Sequence, residues 1–154
     1  GRWPQGAAAM NTMTPKNLHR AAALLLFLFA LTHALGMMVS GGHGVGVDLV
    51  ILGMQAVPME RLGVERTLMD FHVGYGGIFE VYLLFGVVLS LELSKLATLH
   101  PGTATRIALA HGVALCVVFL LCLRYFFVGP TLLALLAAIA TIVAMVKTGR
   151  LRED

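Results

Sequence analysis

Four apolar runs leave this chain few ways to fold. They cover Ala21 to Val39, Phe71 to Leu93, Ile107 to Val128 and Thr131 to Val146. A bilayer's hydrocarbon core is about 30 Å thick and takes about 20 helical residues to cross. Three runs are near that length. The fourth is shorter and can recruit Phe126 and Phe127 at the interface. None alternates polar with apolar residues, and inside lipid only helices or closed barrels satisfy the backbone, so each run predicts a helix. Composition points the same way. Of 154 residues, 58% are hydrophobic and 12% charged, against about 25% charged in ordinary soluble domains. A globule this small cannot bury that much apolar surface. The expectation is an all-α integral membrane four-helix bundle. It has one transmembrane domain over 20–147, an N-terminal segment over 1–19 and a tail over 148–154.

Charge predicts the orientation. Arg2, Lys16, Arg20, Lys95, Arg106, Lys147, Arg150 and Arg152 fall on one side of the runs; Arg61, Arg66 and Arg124 fall on the other. Basic residues favour the cytoplasmic face. Both termini and the 98–105 turn are therefore expected in the cytoplasm of a bacterial (inner) membrane. The net charge of +3 could suggest nucleic acid. The basic residues flank apolar runs and are not clustered with aromatics, so no nucleic-acid partner is expected. Gly1 to Ala9 lacks the cationic start and apolar core of a secretory signal. The native start is read at Met10 or Met13, and the first run then acts as signal and anchor together. Cys116 and Cys122 stand about 9 Å apart along one helix, too far for a disulfide within it.

The connections are unequal. Thr98 to Thr105 contains Pro-Gly, a turn signal. Gly129-Pro130 introduces the last helix, where proline's missing N–H costs nothing in the first turn. Ser40 to Met69 is long and opens on Gly41-Gly42-His43-Gly44. It then reads Val47 to Met54, amphipathic enough for a short interfacial or re-entrant helix. The stretch is too apolar for a free linker, so it is expected to fold over the outer ends of the bundle.

Ionisable groups inside a membrane are costly and mark candidate functional positions. Glu80 is the clearest. On a helix it shares a face with His72, Gly76, Gly86, Ser90 and Ser94. That face reads either as a packing seam, in which Glu80 is neutral and hydrogen-bonded, or as the wall of a polar pocket. His33 lies at a matching depth in the first run and is the expected partner of Glu80. His72 would stand at the mouth of such a site. Asp70 reads as a helix cap or as a member of the same cluster. Arg124 reads as a snorkelling residue or an anion clamp. Low dielectric disfavours the ionised form of a carboxyl, which makes Glu80 a candidate general acid or base. The catalytic candidates are Glu80, His33, His72 and Asp70; the ligand-binding candidates are Gly76, Leu83, Met37, Tyr125 and Arg124. No metal site and no cofactor is expected. CxxC, HExxH, GxSxG and Walker motifs are absent, as is an intramembrane lysine for a retinal Schiff base.

Three stretches carry a resemblance. They are Met69-Asp70-Phe71-His72-Val73-Gly74-Tyr75-Gly76 with Glu80-Val81-Tyr82, then Arg124-Tyr125-Phe126-Phe127-Val128-Gly129-Pro130, then His33-Ala34-Leu35-Gly36. They resemble an uncharacterised family of small four-helix bacterial integral membrane proteins over roughly residues 20 to 146. The resemblance implies architecture and no activity. A more distant analogy is the emopamil-binding sterol isomerase group, which also sets acidic and basic side chains in a membrane pocket. Residues and resemblance together lead to a membrane protein that holds a hydrophobic or lipid-like ligand, with membrane lipid as its surroundings. It would be an acid–base isomerase, hydratase or cyclase if it is an enzyme. Two alternatives stay open. One is a non-catalytic subunit or small transporter that forms a homo-oligomer through the Gly/Ser face. The other is a haem or metal protein that uses its histidines.

Overall fold

The computed structural model describes residues 13–38 and 44–150. The expected start at Met10, the glycine-rich opening of the long connection and the last tail residues lie outside these. Among the described residues there are five helices: α1 (Pro15–Met38), α2 (Val45–Ala56), α3 (Leu68–Leu99), α4 (Pro101–Tyr125) and α5 (Val128–Arg150). Two short strands, β1 (Pro58–Arg61) and β2 (Val64–Thr67), separate α2 from α3. All but α2 are long and apolar enough to cross a membrane. The helices run past the apolar stretches into charged flanks, since nothing there breaks them. Their ends fall at real breakers. His100 alone separates α3 from α4, with Pro101 at the first helical position. Phe126, in extended conformation, ends α4.

The long connection carries more structure than the short helix expected there. It holds helix α2 and an antiparallel hairpin in which Arg61 pairs with Val64. Leu62 and Gly63 form its two-residue turn with φ of 53° and 76°, the left-handed pair a type I′ turn requires. The hairpin leads into α3 through a capping box. Thr67 accepts from the Asp70 amide at 3.1 Å, and Asp70 accepts from the Thr67 amide at 2.7 Å. The Leu68 amide donates to the Val57 carbonyl at 3.3 Å. Hairpin and α2 therefore pack on α3.

Helices adjacent in sequence do not all pack equally. α1 lies along both α3 and α5, and α4 lies along α5, whereas α3 and α4 meet over a smaller area. One core cluster gathers Leu26, Phe29, Ala30, Leu83, Leu115, Cys122 and the alanines at 134, 137 and 138. A second gathers Leu93, Ala97, Ala104 and Ala108. Small residues let helix backbones approach closely, which matters most where lipid removes the hydrophobic drive to associate.

Between these clusters lies a buried polar layer. Lys147 donates to the Met13 carbonyl at 2.9 Å, which sets α1 level with α5. Less than two turns inward from this tie lie His19 on α1 and Thr141 on α5, both fully buried. On the remaining two helices Ser90 and His111 meet at 3.2 Å. A methyl group on Gly112 would lie 3.8 Å from Thr141, which brings the histidine's own turn to the same level. Each long helix thus contributes one polar residue. The two ring nitrogens of His19 and the Thr141 hydroxyl have no hydrogen-bond partner among the described residues.

Candidate ligand site

Above the cores, α1 and α3 bring two ionisable groups together. His33 follows Leu26, Phe29 and Ala30 along the buried side of α1, and Glu80 precedes Leu83 by one turn on the buried side of α3. His33 Nδ1 lies 3.0 Å from Glu80 Oε2, with side chains 15% and 23% exposed. When the carboxyl is ionised it only accepts; Nδ1 then carries the hydrogen, and in a neutral ring Nε2 keeps its lone pair. The His33 ring stands edge-on to Phe79 at 5.0 Å, and Phe79 edge-on to Phe29 at 5.6 Å. These contacts orient the imidazole. Along α3 the dyad is about 15 Å from Asp70 and about 18 Å from the exposed Glu92, and along α1 His33 is about 8 Å from the helix end at Met38, so it sits within the apolar span but nearer its α2–hairpin end.

His33 opens onto a cavity of about 570 Å³, within the size range of small-molecule sites. α1 supplies Phe29, Thr32, His33, Gly36 and Met37; α3 supplies His72, Tyr75, Gly76 and Phe79. The α4–α5 corner closes the far side with Phe126, Phe127, Gly129, Pro130 and Leu133. Gly76 lets Met37 pack close, because a methyl group in its place would lie 2.7 Å from Met37 Cε and 3.2 Å from its sulfur and would make that flexible side chain shift. The Thr32 hydroxyl donates back to the Leu28 and Phe29 carbonyls, at 2.9 and 3.0 Å. Thr32 can then only accept from a ligand, and the other polar side chains on the wall are His33, His72 and Tyr75.

The structure brings together some of the expected residues and disperses others. Glu80 and His33 pair; His72, Gly76 and Met37 line the same cavity. Asp70 is apart from them, capping α3 on the rim of a shallower groove of about 330 Å³ with Arg66 and Phe71. Leu83 lies beneath the site in the sealed core. Arg124 stacks on the Tyr125 ring at 5.4 Å; neither residue lines the cavity, although the next two phenylalanines do. Gly86 packs against Leu26 and His111, and Ser90 bonds His111. The Gly/Ser face is thus occupied within the protomer. No cluster of three or more metal-ligating His, Cys, Asp or Glu side chains occurs among the described residues.

Sequence reasoning missed the aromatic frame of Phe29, Phe79, Phe126 and Phe127, and it missed His19. The phenylalanines follow the spacing of ordinary core residues. His19 sits between Lys16 and Arg20 and reads as part of a charged flank. Its spacing to Ala22, Ala23 and Leu26 was the signal that it belongs to the buried face. Comparison with protein-family models, with characterised proteins and with solved structures finds no match for the chain.

Proposed function

We propose that this chain is a multi-pass membrane protein that holds a hydrophobic, lipid-like ligand against the His33–Glu80 dyad. In this reading the four long helices span a bacterial inner membrane with both ends cytoplasmic, the side carrying most of the basic residues. The α2–hairpin segment then caps the opposite face. The observation that carries the proposal is the 3.0 Å His33–Glu80 bond beside an aromatic-walled cavity. A partly buried carboxylate that holds an imidazole in one tautomer leaves the other ring nitrogen ready to take or return a proton. Isomerisation, hydration or cyclisation of a lipid-like substrate is the chemistry such a dyad serves.

The test is native mass spectrometry of the protein released from membranes with co-purified lipid, beside Glu80→Gln and His33→Phe. A defined small molecule retained by the native chain and lost from both folded variants supports the proposal. An empty protein in all three preparations argues for a non-catalytic role. An oligomer would need a surface other than the Gly/Ser face, which packs inside the protomer.

A further inference from the structure

We infer that the cavity selects a neutral, ring-borne hydroxyl head, of the phenol or quinol type on an alkyl tail, and rejects anionic lipid heads. The inference rests on the ligand-site reading above and narrows it to a ligand class.

Charge decides the sign. No lysine or arginine lines the cavity. The nearby guanidinium of Arg124 is engaged with the Tyr125 ring. The group behind the imidazole is a carboxylate. When Glu80 is ionised the dyad carries a net charge of zero or minus one, whichever protonation state His33 holds. A fatty-acid carboxylate or a phosphate would enter a low-dielectric space with no lysine or arginine on its wall, only the imidazoles of His33 and His72 to meet it, and the Glu80 carboxylate behind His33, at a cost that rises as the dielectric falls. A neutral hydroxyl meets a complementary group. It donates to His33 Nε2 while Nδ1–H remains bonded to Glu80.

Shape decides the ring. Phe29, Phe79, Phe126 and Phe127 bound the space, and the edge-on arrangement of His33, Phe79 and Phe29 presents flat surfaces suited to another aromatic ring. Gly36 and Gly129 supply an exit for the tail. Both line the cavity, and a methyl group on either would meet nothing within 4 Å.

The test uses purified protein in neutral detergent and three probes of matched tail length: 4-dodecylphenol, its methyl ether and 4-dodecylbenzoate. The expected result is saturable binding of the phenol, with the ether and the benzoate each about tenfold weaker or more, the scale of one hydrogen bond or one unpaired charge. In His33→Phe the phenol and ether bind alike, because the acceptor is gone and the aromatic wall is kept. In Glu80→Gln discrimination against the benzoate falls. The native-chain measurements stand by themselves if either variant fails to fold. Benzoate or ether binding the native chain as tightly as the phenol overturns the head-group inference and leaves the ligand site standing. Binding of none of the three overturns the ligand site itself.

Discussion

The two ends of this bundle solve the problem of buried polarity in opposite ways. Around His19 and His111 the four long helices each contribute to a buried polar layer with alanines nearby. Around His33 and Glu80 large aromatic side chains frame an open space, and His33, held by Glu80, faces it. Both ends bury histidine. At one end the imidazoles are locked into packing; at the other, one imidazole is aimed by a carboxylate at a place where something could bind. The difference teaches that a histidine inside a membrane span is informative through its neighbours: alanines around it indicate a joint between helices, whereas aromatic residues and a carboxylate indicate a site.

The sharpest way to break this contrast is truncation where the two ends meet. Phe29 is fully buried and also borders the cavity. Phe29→Ala is expected to cost about 3–5 kcal/mol, measured by reversible unfolding in mixed micelles. Phe127→Ala, on the exposed cavity rim, should cost well under half of that. Equal losses would mean that the open end is as tightly packed as the closed one. Overfilling comes next. Ala137→Leu, at a fully buried alanine, should destabilise by about 1–3 kcal/mol, whereas Gly36→Ala, over open space, should be nearly silent in the same assay.

Smaller effects sharpen the polar side. Ser90→Ala removes the partner of His111 and should cost about 1 kcal/mol. His19→Leu replaces a buried ring that has no hydrogen-bond partner among the described residues, so stability should hold or rise by about 1 kcal/mol. A large loss there would mean that His19 has a partner outside the described residues. The smallest change in stability is expected for Glu80→Gln, under about 1 kcal/mol, because the glutamine carbonyl still accepts from Nδ1. The same variant should lose retained ligand, read by native mass spectrometry. Stability unchanged with ligand kept would make the dyad a packing joint like its counterpart.

The sequence made the long helices legible because lipid leaves a polar-poor run of that length almost no other structure. It also made the Glu80–His33 pair legible, since both groups are too costly to strand singly and lie at one depth. The hairpin escaped because its turn uses Leu62 in a left-handed conformation, where Asn or Gly would have announced it. The cavity walls escaped because pairing between helices is not encoded in periodicity. Nothing in the run around Phe126 says that α5 docks beside α1 and carries that corner over to His33. Asp70 was ambiguous for a plainer reason: a carboxylate three residues into a helix serves as a cap whether or not a site lies nearby, and here capping is what its contacts record.

The depth of the dyad has an electrical consequence. His33 and Glu80 sit inside the apolar span but nearer its α2–hairpin end, so in the proposed membrane placement a proton travelling to them from either side crosses only part of the transmembrane voltage. A full crossing by one charge is worth about 2.3 kcal/mol per 100 mV, and a partial crossing a corresponding fraction of that, enough to change occupancy. Any ligand whose binding follows the protonation of this pair then becomes sensitive to the energised state of the membrane, although nothing in the protein moves and no arginine-bearing sensor helix is involved. In liposomes, imposing a potassium diffusion potential at constant pH on both faces should alter ligand occupancy, and reversing the potential should reverse the change.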